Sequence, residues 1–250
     1  MTNSKMKDNF SGDSKAYAQF RPRYPQELFD RLLPLVKGKD CTWDCGTGNG
    51  QVADVLAAHF KKVFATDISQ QQIDAAVARE NIEYSVQPAE KTLFSNKQFD
   101  LITVAQAIHW FHFDAFYKEV RRTLKDDGVF AVIGYGPVQT ADQSLQQLTD
   151  HFYKKIVGPY WDAERHYIDE LYQTIPFPFK EKPMPALEMS YQWSIEQFTG
   201  YLSTWSAVKH YRKEHDADPA DLIRNELITL WNDRKEISFS FPVLLRVGVL

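Results

Sequence analysis

The stretch WDCGTGNG, at residues 43–50, places one carboxylate and three alternate glycines within eight positions. Glycine adopts positive φ angles without steric cost and lets another group approach the backbone closely. The stretch follows a short apolar run and precedes a helical pattern, so it lies at the carboxyl end of a predicted strand. Open α/β sheets bind ligands at such positions, where the first amides of the next helix can donate hydrogen bonds. We therefore expect a ligand-binding turn here.

The spacing of the glycines distinguishes two classes of ligand. A dinucleotide-binding turn needs the pattern G-x-G-x-x-G. Counted from Gly46, the third glycine would stand at position 51, which is Gln51. Counted from Gly48, it would stand at position 53, which is Ala53. A nicotinamide-dependent oxidoreductase is therefore disfavoured. The pattern that does fit is acid-x-G-x-G-x-G, formed by Asp44, Gly46, Gly48 and Gly50.

The chain around this turn alternates as an α/β protein does. Between residues 39 and 135, short apolar runs alternate with helical patterns, which predicts a parallel sheet covered by helices on both faces. The predicted strands are 40–45, 62–68, 82–86, 99–105 and 129–135. The predicted helices are 51–60, 70–79 behind a capping box of Ser69 and Gln72, and a third that is capped by Asp114 and ends before Gly128.

The flanking parts of the chain have other patterns. An apolar helix face follows Pro25, and it is made of Leu28, Phe29, Leu32 and Leu33. After residue 136 the sequence predicts a helix near 145–156, a proline-rich connector at 175–185, strands at 187–193 and 236–249, and helices near 195–209 and 219–233. We therefore expect three parts: an N-terminal lid and first helix (1–38), a ligand-binding core (39–136), and lid helices with two further strands (137–250).

The composition limits the class of protein. With 250 residues and 44% hydrophobic content, the chain can bury one full core. A formal net charge of −4 leaves no basic surplus for phosphates, so we expect no nucleic-acid partner. Two cysteines fit a reducing compartment, and neither a secretory segment nor an apolar run of membrane-spanning length is apparent. We expect a cytoplasmic monomer or homodimer without membrane contact.

The glycine pattern and its neighbours resemble the class I S-adenosylmethionine-dependent methyltransferases, and the resemblance extends across roughly residues 39–135. It implies an α/β fold with a doubly wound, Rossmann-like, mostly parallel sheet of seven strands, an antiparallel last strand and a helical lid. It also implies S-adenosyl-L-methionine as the cofactor and S-adenosyl-L-homocysteine as its product. No metal is implied.

The resemblance carries over a set of cofactor-binding residues. The acid after the family's second strand accepts hydrogen bonds from both ribose hydroxyls, and here it is Asp67, with Ile68 against the adenine. In QPAE at 87–90, Pro88 replaces the family's adenine-reading acid, so only Ala89 and Glu90 carry over. Glu90 is equally typical of a solvated surface acid. The other implied residues are Tyr17, Arg21, Asp44, Gly46, Thr47, Gly48, Gly50, Ala105 and Gln106.

Three segments are similar to the trans-aconitate methyltransferase-like proteins, which esterify carboxylates of small molecules. These segments are YAQFRPRYP at 17–25, the pair HW at 109–110, and YLSTWSAVKHY at 201–211. In that family the HW pair lies between cofactor and substrate, which makes His109 and Trp110 the candidate catalytic residues. Core packing is the other interpretation of the pair. Arg21 would face the cofactor carboxylate, or it would only pin the N-terminal segment to the sheet.

Methylation of a carboxylate requires few specific residues in the enzyme. The carboxylate is ionised at neutral pH and needs no general base, only desolvation and alignment with the methyl group. Candidate groups for holding an acid are the cations Arg165, His166, Lys209, His210 and Arg212 and the aromatic residues Tyr160, Trp161 and Trp205. A run such as KHYRKEH is also typical of a solvated helix face.

We therefore expect an enzyme that transfers a methyl group by in-line displacement to a small-molecule acceptor, with a carboxylate and a methyl ester as the favoured outcome. Two alternatives stay open. The methyl group could go to nitrogen, hydroxyl or sulfur of another metabolite, or the chain could bind S-adenosylmethionine without chemistry.

Overall fold

The structure is a computed structural model that describes residues 19–250, in which helices cover both faces of a mixed sheet. The strands are β1 (Cys41–Cys45), β2 (Lys62–Asp67), β3 (Ile82–Val86), β4 (Phe99–Ala105), β5 (Leu124–Tyr135), β6 (Lys180–Lys182), β7 (Leu187–Trp193) and β8 (Ile237–Val249). The α-helices are α1 (Gln26–Leu32), α2 (Gln51–Ala57), α3 (Gln70–Asp74), α4 (Phe113–Thr123), α5 (Gln143–His151), α6 (His166–Asp169), α7 (Ile195–Ser203), α8 (Ser206–His215) and α9 (Arg224–Trp231). Short helical turns include Ile108–Trp110, Phe152–Ile156, Gly158–Tyr160, Ala163–Arg165 and Pro219–Leu222.

The strand order confirms the predicted doubly wound, mostly parallel sheet. In residues 19–250 the order is β3-β2-β1-β4-β5-β8, with β6 and β7 both paired to β8. The strands from β1 to β5 are parallel to their neighbours, and β8 runs antiparallel to β5. This order places the carboxyl ends of β1 and β4 side by side at the centre, where such sheets bind ligands.

The sequence predicts a sheet of seven strands, whereas the described residues form eight. The additional strand is β6, a short edge strand. β8 has 13 residues and β7 has 7, so β7 pairs only with the part of β8 from Ile237 to Val243. The three residues of β6 come from the proline-rich connector, and they pair with β8 at 247–249. Prolines are tolerated beside this strand because an edge strand leaves some backbone N–H groups without a ladder partner.

Apolar side chains divide the interior into a core on each face of the sheet and a third core among the later helices. On one face, α1 and α2 bury residues such as Phe29 and Leu56. On the other face, α4 buries Phe116 and Val120. The helices after β5 pack around residues such as Phe198. No helix within residues 19–250 combines the length and apolar character needed to cross a bilayer.

Several helix boundaries differ from the prediction, each for a local reason. α4 begins at Phe113 and not behind Asp114, and the backbone N–H of His112 donates to the carboxylate of Glu90. Gly128 lies inside β5, because that strand already begins at residue 124 and shifts its register against β4. The helix predicted at 195–209 is two helices, since Trp205 adopts an extended conformation between them.

The three glycines of the turn all have positive φ angles, but the space around them differs. At Gly50, where φ is 83°, an added Cβ would lie 2.3 Å from the hydroxyl oxygen of Tyr84. At Gly48 the nearest atom would be Oε1 of Gln72 at 3.8 Å, so that position faces open space. Gly50 is therefore required by the protein's own packing, whereas Gly48 borders room for a ligand.

Replacing Gly50 tests this distinction. We expect Gly50→Ala to lower the free energy of unfolding by about 1–3 kcal/mol, because the residue is held at positive φ against Tyr84. The matched control is Gly158→Ala, whose added Cβ would have its nearest contact at 3.6 Å. The control should stay within about 0.5 kcal/mol of the wild type in urea unfolding. Equal effects of the two substitutions would contradict the assignment.

Candidate active site

A cavity opens at the carboxyl ends of β1, β2, β3, β4 and β5, and it collects side chains from five loops. Its lining comprises Arg21, Pro22, Tyr24, Asp44, Cys45, Gly46, Thr47, Gly48, Asn49, Gln51, Val52, Asp67, Ile68, Ser69, Gln72, Gln87, Ala89, Glu90, Ala105, Gln106, Ala107, Trp110, Phe111 and Tyr135. We call it the first cavity. It brings together the predicted cofactor-binding residues except Gly50, which packs against Tyr84 and does not border the cavity, and Tyr17, which lies outside the described residues.

The glycine turn is fixed to the neighbouring strand by hydrogen bonds. The backbone N–H of Thr47 donates to the carbonyl of Thr66 over 2.9 Å, and the N–H of Gly48 donates to Oδ2 of Asp67 over 2.9 Å. These bonds join the loop after β1 to the end of β2. Hydrogen bonds within the protein therefore fix the conformation of the turn.

Asp44 lies buried beneath the turn. Its two carboxylate oxygens accept hydrogen bonds from the hydroxyls of Thr47 at 2.6 Å and Thr103 at 2.8 Å. Burial raises the pKa of Asp44 to about 6, and the two hydroxyls oppose that rise because they stabilise the ionised form. A negative charge is thus kept next to the first cavity at neutral pH.

Asp67 ends β2 with both oxygens engaged by the backbone. Besides the bond from Gly48, its Oδ1 accepts from the N–H of Ser69 at 2.9 Å. Helix capping is performed by Ser69, whose hydroxyl accepts from the N–H of Gln72 at 3.3 Å. Asp67 is therefore not the helix cap, and its carboxylate borders the first cavity.

The loop after β3 forms the outer wall of the first cavity. Ile68, from the neighbouring loop, is 39% exposed, which leaves an apolar surface available to a ligand. Ala89 is buried, and Oε1 of Glu90 accepts from the N–H of His112 at 2.9 Å. Glu90 thus connects this loop to the start of α4.

Gln106 follows β4 in a left-handed conformation, with φ at 51°. Its side-chain Nε2 donates to the carbonyl of Tyr135 over 3.2 Å, and its Oε1 accepts from the hydroxyl of Tyr172 at 3.1 Å. Non-glycine residues at positive φ persist where the surroundings hold them, often at functional sites. Gln106 and Ala105 both border the first cavity.

The His-Trp pair has one member on each side of the cavity wall. Trp110 lines the first cavity, whereas His109 is buried behind it. Nδ1 of His109 lies 3.1 Å from the hydroxyl oxygen of Tyr172. Because that hydroxyl gives its hydrogen to Gln106, Nδ1 carries the proton and donates. Burial, and secondarily Arg165, lowers the pKa of His109 to about 3, so the imidazole is neutral.

Arg21 connects the N-terminal segment to the body of the protein. Its Nη1 donates to the hydroxyl of Tyr135 over 3.0 Å, and its Nη2 donates to the carbonyl of Thr204 over 3.1 Å. The guanidinium lies 5.7 Å from the centre of the Tyr201 ring. Arg21 therefore makes the pinning contacts considered above, and it also lines the first cavity.

Sequence reasoning missed several residues of the lining. Gln87 stands two residues before the matched Ala89, and its Oε1 orders the loop by accepting from the N–H of Leu93 at 2.8 Å. Tyr135 ends β5, and its position could be inferred from the rule that parallel strands end at one edge. Phe111 carries no motif that would have found it, whereas Tyr24 belongs to the matched segment YAQFRPRYP at 17–25.

Comparisons with known proteins agree with this geometry. A family model described as a methyltransferase domain matches residues 43–132. A methyltransferase of Dictyostelium discoideum is 35% identical over 98% of this chain and 95% of its own length. The chain belongs to the class I S-adenosylmethionine-dependent methyltransferases. It is similar to a type II methyltransferase from Anaeromyxobacter dehalogenans, with a TM-score of 0.83, 36% identity, and coverage of 92% of this chain and 98% of that structure.

A more distant relative is an S-adenosylmethionine-dependent methyltransferase of Saccharomyces cerevisiae, which is 23% identical over 88% of each chain. The protein is therefore a methyltransferase enzyme whose family uses S-adenosylmethionine. The residues present fit such a cofactor, because an open glycine turn, an apolar wall and three carboxylates surround the first cavity.

The methyltransferase should show a pH-dependent cost of burying Asp44. Its ordinary pKa of 3.8 rises to about 6 on folding, so the stability present below about pH 4 is lost as the pH rises through about 6. This loss corresponds to about 3 kcal/mol. We expect Asp44→Asn to stabilise the protein against urea by up to about that amount at about pH 8, and to have little effect at about pH 4. A difference from the wild type that is independent of pH would contradict this account.

Proposed function

We propose that the enzyme methylates a carboxylate of a small-molecule acceptor and produces a methyl ester. The observation that carries this proposal is the composition of the first cavity: within residues 19–250 its lining contains no histidine or lysine that could remove a proton from an acceptor. Its one cysteine, Cys45, is buried, which raises the pKa of the thiol. A carboxylate needs no such base, because it is already ionised at neutral pH.

The charge balance of the step supports the same acceptor. S-adenosylmethionine supplies a methyl group activated by its sulfonium. A carboxylate oxygen forms the new C–O bond as the C–S bond breaks, so a negative and a positive charge disappear together and no proton is released. Alignment and exclusion of water then supply most of the rate. Trp110, on the wall of the first cavity, has the size and position to exclude water.

We propose these cofactor contacts for the residues of the first cavity. Asp67 accepts hydrogen bonds from the ribose hydroxyls, and Ile68 lies against the adenine together with Ala89 and Glu90. The methionine part lies along the glycine turn and Ala105, with Gln106 near its amino group. The buried charge of Asp44 favours that cationic amino group. Arg21 faces the carboxylate end, because it borders the first cavity while being held by Tyr135.

We also propose that His109 is a positioning residue and not a base. It is buried, neutral and donates to Tyr172, which in turn donates to Gln106. This chain of hydrogen bonds supports the strained backbone after β4.

The proposed function predicts a product that mild alkali destroys. The purified enzyme is incubated with S-adenosylmethionine labelled in the methyl group and with pools of small carboxylic acids. We expect labelled product that releases methanol in mild alkali, as esters do. The matched control is the same pool with each acid replaced by its primary amide, which should give no product. Methyl transfer only to amines, hydroxyls or thiols, with an alkali-stable product, would overturn the carboxylate assignment.

The role of His109 can be tested by the pH profile of turnover. We expect His109→Gln to lower kcat by about tenfold through misplacement of Gln106, without changing the shape of the profile between about pH 5.5 and 8. The control is His112→Gln, because the structure records only a backbone hydrogen bond at His112. That control should leave kcat within about twofold. A wild-type inflection near pH 6.5 that vanishes in His109→Gln would show a proton-transfer role.

A further inference from the structure

A second cavity lies beside the first, between β5 and the helices that follow it. Its volume is ≈ 420 Å³, and its wall includes Val138, Tyr153, Arg165, Tyr201 and Trp205. Five of its twelve lining residues are apolar or aromatic, and the other seven are polar or charged. A cavity of this size and lining is in the range that accommodates a small organic molecule.

The two cavities share one wall. Tyr135 lines the first cavity, and the chain continues within three residues to Val138, which lines the second. Arg21 lines the first cavity and stacks over the ring of Tyr201, which lines the second. Arg21 also donates to the hydroxyl of Tyr135. A molecule in the second cavity would therefore lie next to the residues that separate the two cavities.

Arg165 is the cation that the structure holds most firmly in this second cavity. Its guanidinium lies 4.5 Å from the ring centre of Trp161 and 5.3 Å from that of Tyr153, and its Nε donates to the Tyr153 hydroxyl over 2.7 Å. Its side chain is 15% exposed. In the described part of the chain, neither Nη1 nor Nη2 of Arg165 donates to a protein acceptor. The planar guanidinium of Arg165 is thus fixed in place, and its two outer nitrogens, Nη1 and Nη2, can donate hydrogen bonds to a ligand.

The other charged groups of the second cavity are compensated within the protein. Asp150 accepts from Lys154 at 2.7 Å and from Gln146 at 2.8 Å. Asp169 accepts from the Tyr153 hydroxyl, and its Oδ1 forms an ion pair with Nε of Arg165 at 3.5 Å. The unmatched donors therefore belong to Arg165, and two parallel N–H donors on one guanidinium match a carboxylate.

We propose that the second cavity is the acceptor site and that Arg165 anchors an anionic group of the acceptor there. This inference rests on the proposed function for the methylated end. The acceptor is then an acid with a planar, apolar body that lies against Tyr201 and Trp205. Its anchoring carboxylate pairs with the outer nitrogens of Arg165, and the group to be methylated points toward the first cavity. Arg165 is a binding residue for the acceptor and has no part in cofactor binding.

The test measures binding and not turnover, so it is independent of whether an ester is formed. The probe is trans-cinnamate, a planar acid, and the neutral control ligand is cinnamamide. Both are titrated by calorimetry into the full-length protein saturated with S-adenosylhomocysteine. We expect cinnamate to bind the wild type at least about tenfold more tightly than cinnamamide, and Arg165→Gln to remove that preference. The control Arg224→Gln changes an exposed arginine that pairs with Asp221, and it should keep the preference.

Three results decide the proposal. Cinnamate binding that is lost in Arg165→Gln and kept in Arg224→Gln supports it, provided that the affinity for S-adenosylhomocysteine is unchanged. Arg165→Lys, which keeps the charge but loses the fork, should retain part of the preference and separates charge from misfolding. No preference for cinnamate in the wild type, or a preference that survives Arg165→Gln, overturns the proposal. If other acids are still converted to methyl esters under either of those results, the proposed function holds and only the assignment of the acceptor site fails.

Discussion

The hydrogen bond between the N–H of Gly48 and the carboxylate of Asp67 is the constraint on which the site depends. It joins the turn after β1 to the end of β2, so the position of the turn follows from the pairing of two buried parallel strands. Glycine at position 48 adopts its φ of 55° without the strain that a side chain would add. The same carboxylate also receives the N–H of Ser69 and so fixes the entry to α3. One acid thereby organises two of the loops that border the first cavity.

Much of this arrangement could be predicted from the sequence, because it is local. The strands β1, β2 and β4 are short and mostly buried, and parallel strands end at one edge, which brings Asp44, Asp67 and Gln106 together without knowledge of side-chain contacts. The contribution of Tyr135 could not be recognised in the same way. Its hydroxyl accepts from Arg21, which is 114 residues away in the chain, and no periodicity reports such a pair.

The orientation of the His109 side chain could not be predicted from the sequence either. The sequence predicts that HW follows β4, and this is where Ile108–Trp110 forms a short helical turn. Which of the two side chains enters the first cavity depends on Tyr172, 63 residues later, whose hydroxyl draws His109 to the inner side. The second cavity is built by segments between residues 137 and 205, and of these only Tyr201 and Trp205 belong to a segment with a recognisable pattern. The proposed acceptor site thus depends on long-range packing, whereas the proposed cofactor contacts follow from a local pattern.

The measurement that tests the central claim most directly is a calorimetric titration of S-adenosylhomocysteine into the wild type, Asp67→Ala and Asp74→Ala, with NAD as a second ligand. Asp74 is a matched acid nearby, and its recorded hydrogen bond is an exposed one from Gln70. We expect binding to the wild type and Asp74→Ala, affinity at least about tenfold weaker for Asp67→Ala, and none for NAD. Equal binding to all three proteins, or tight binding of NAD, would contradict that claim.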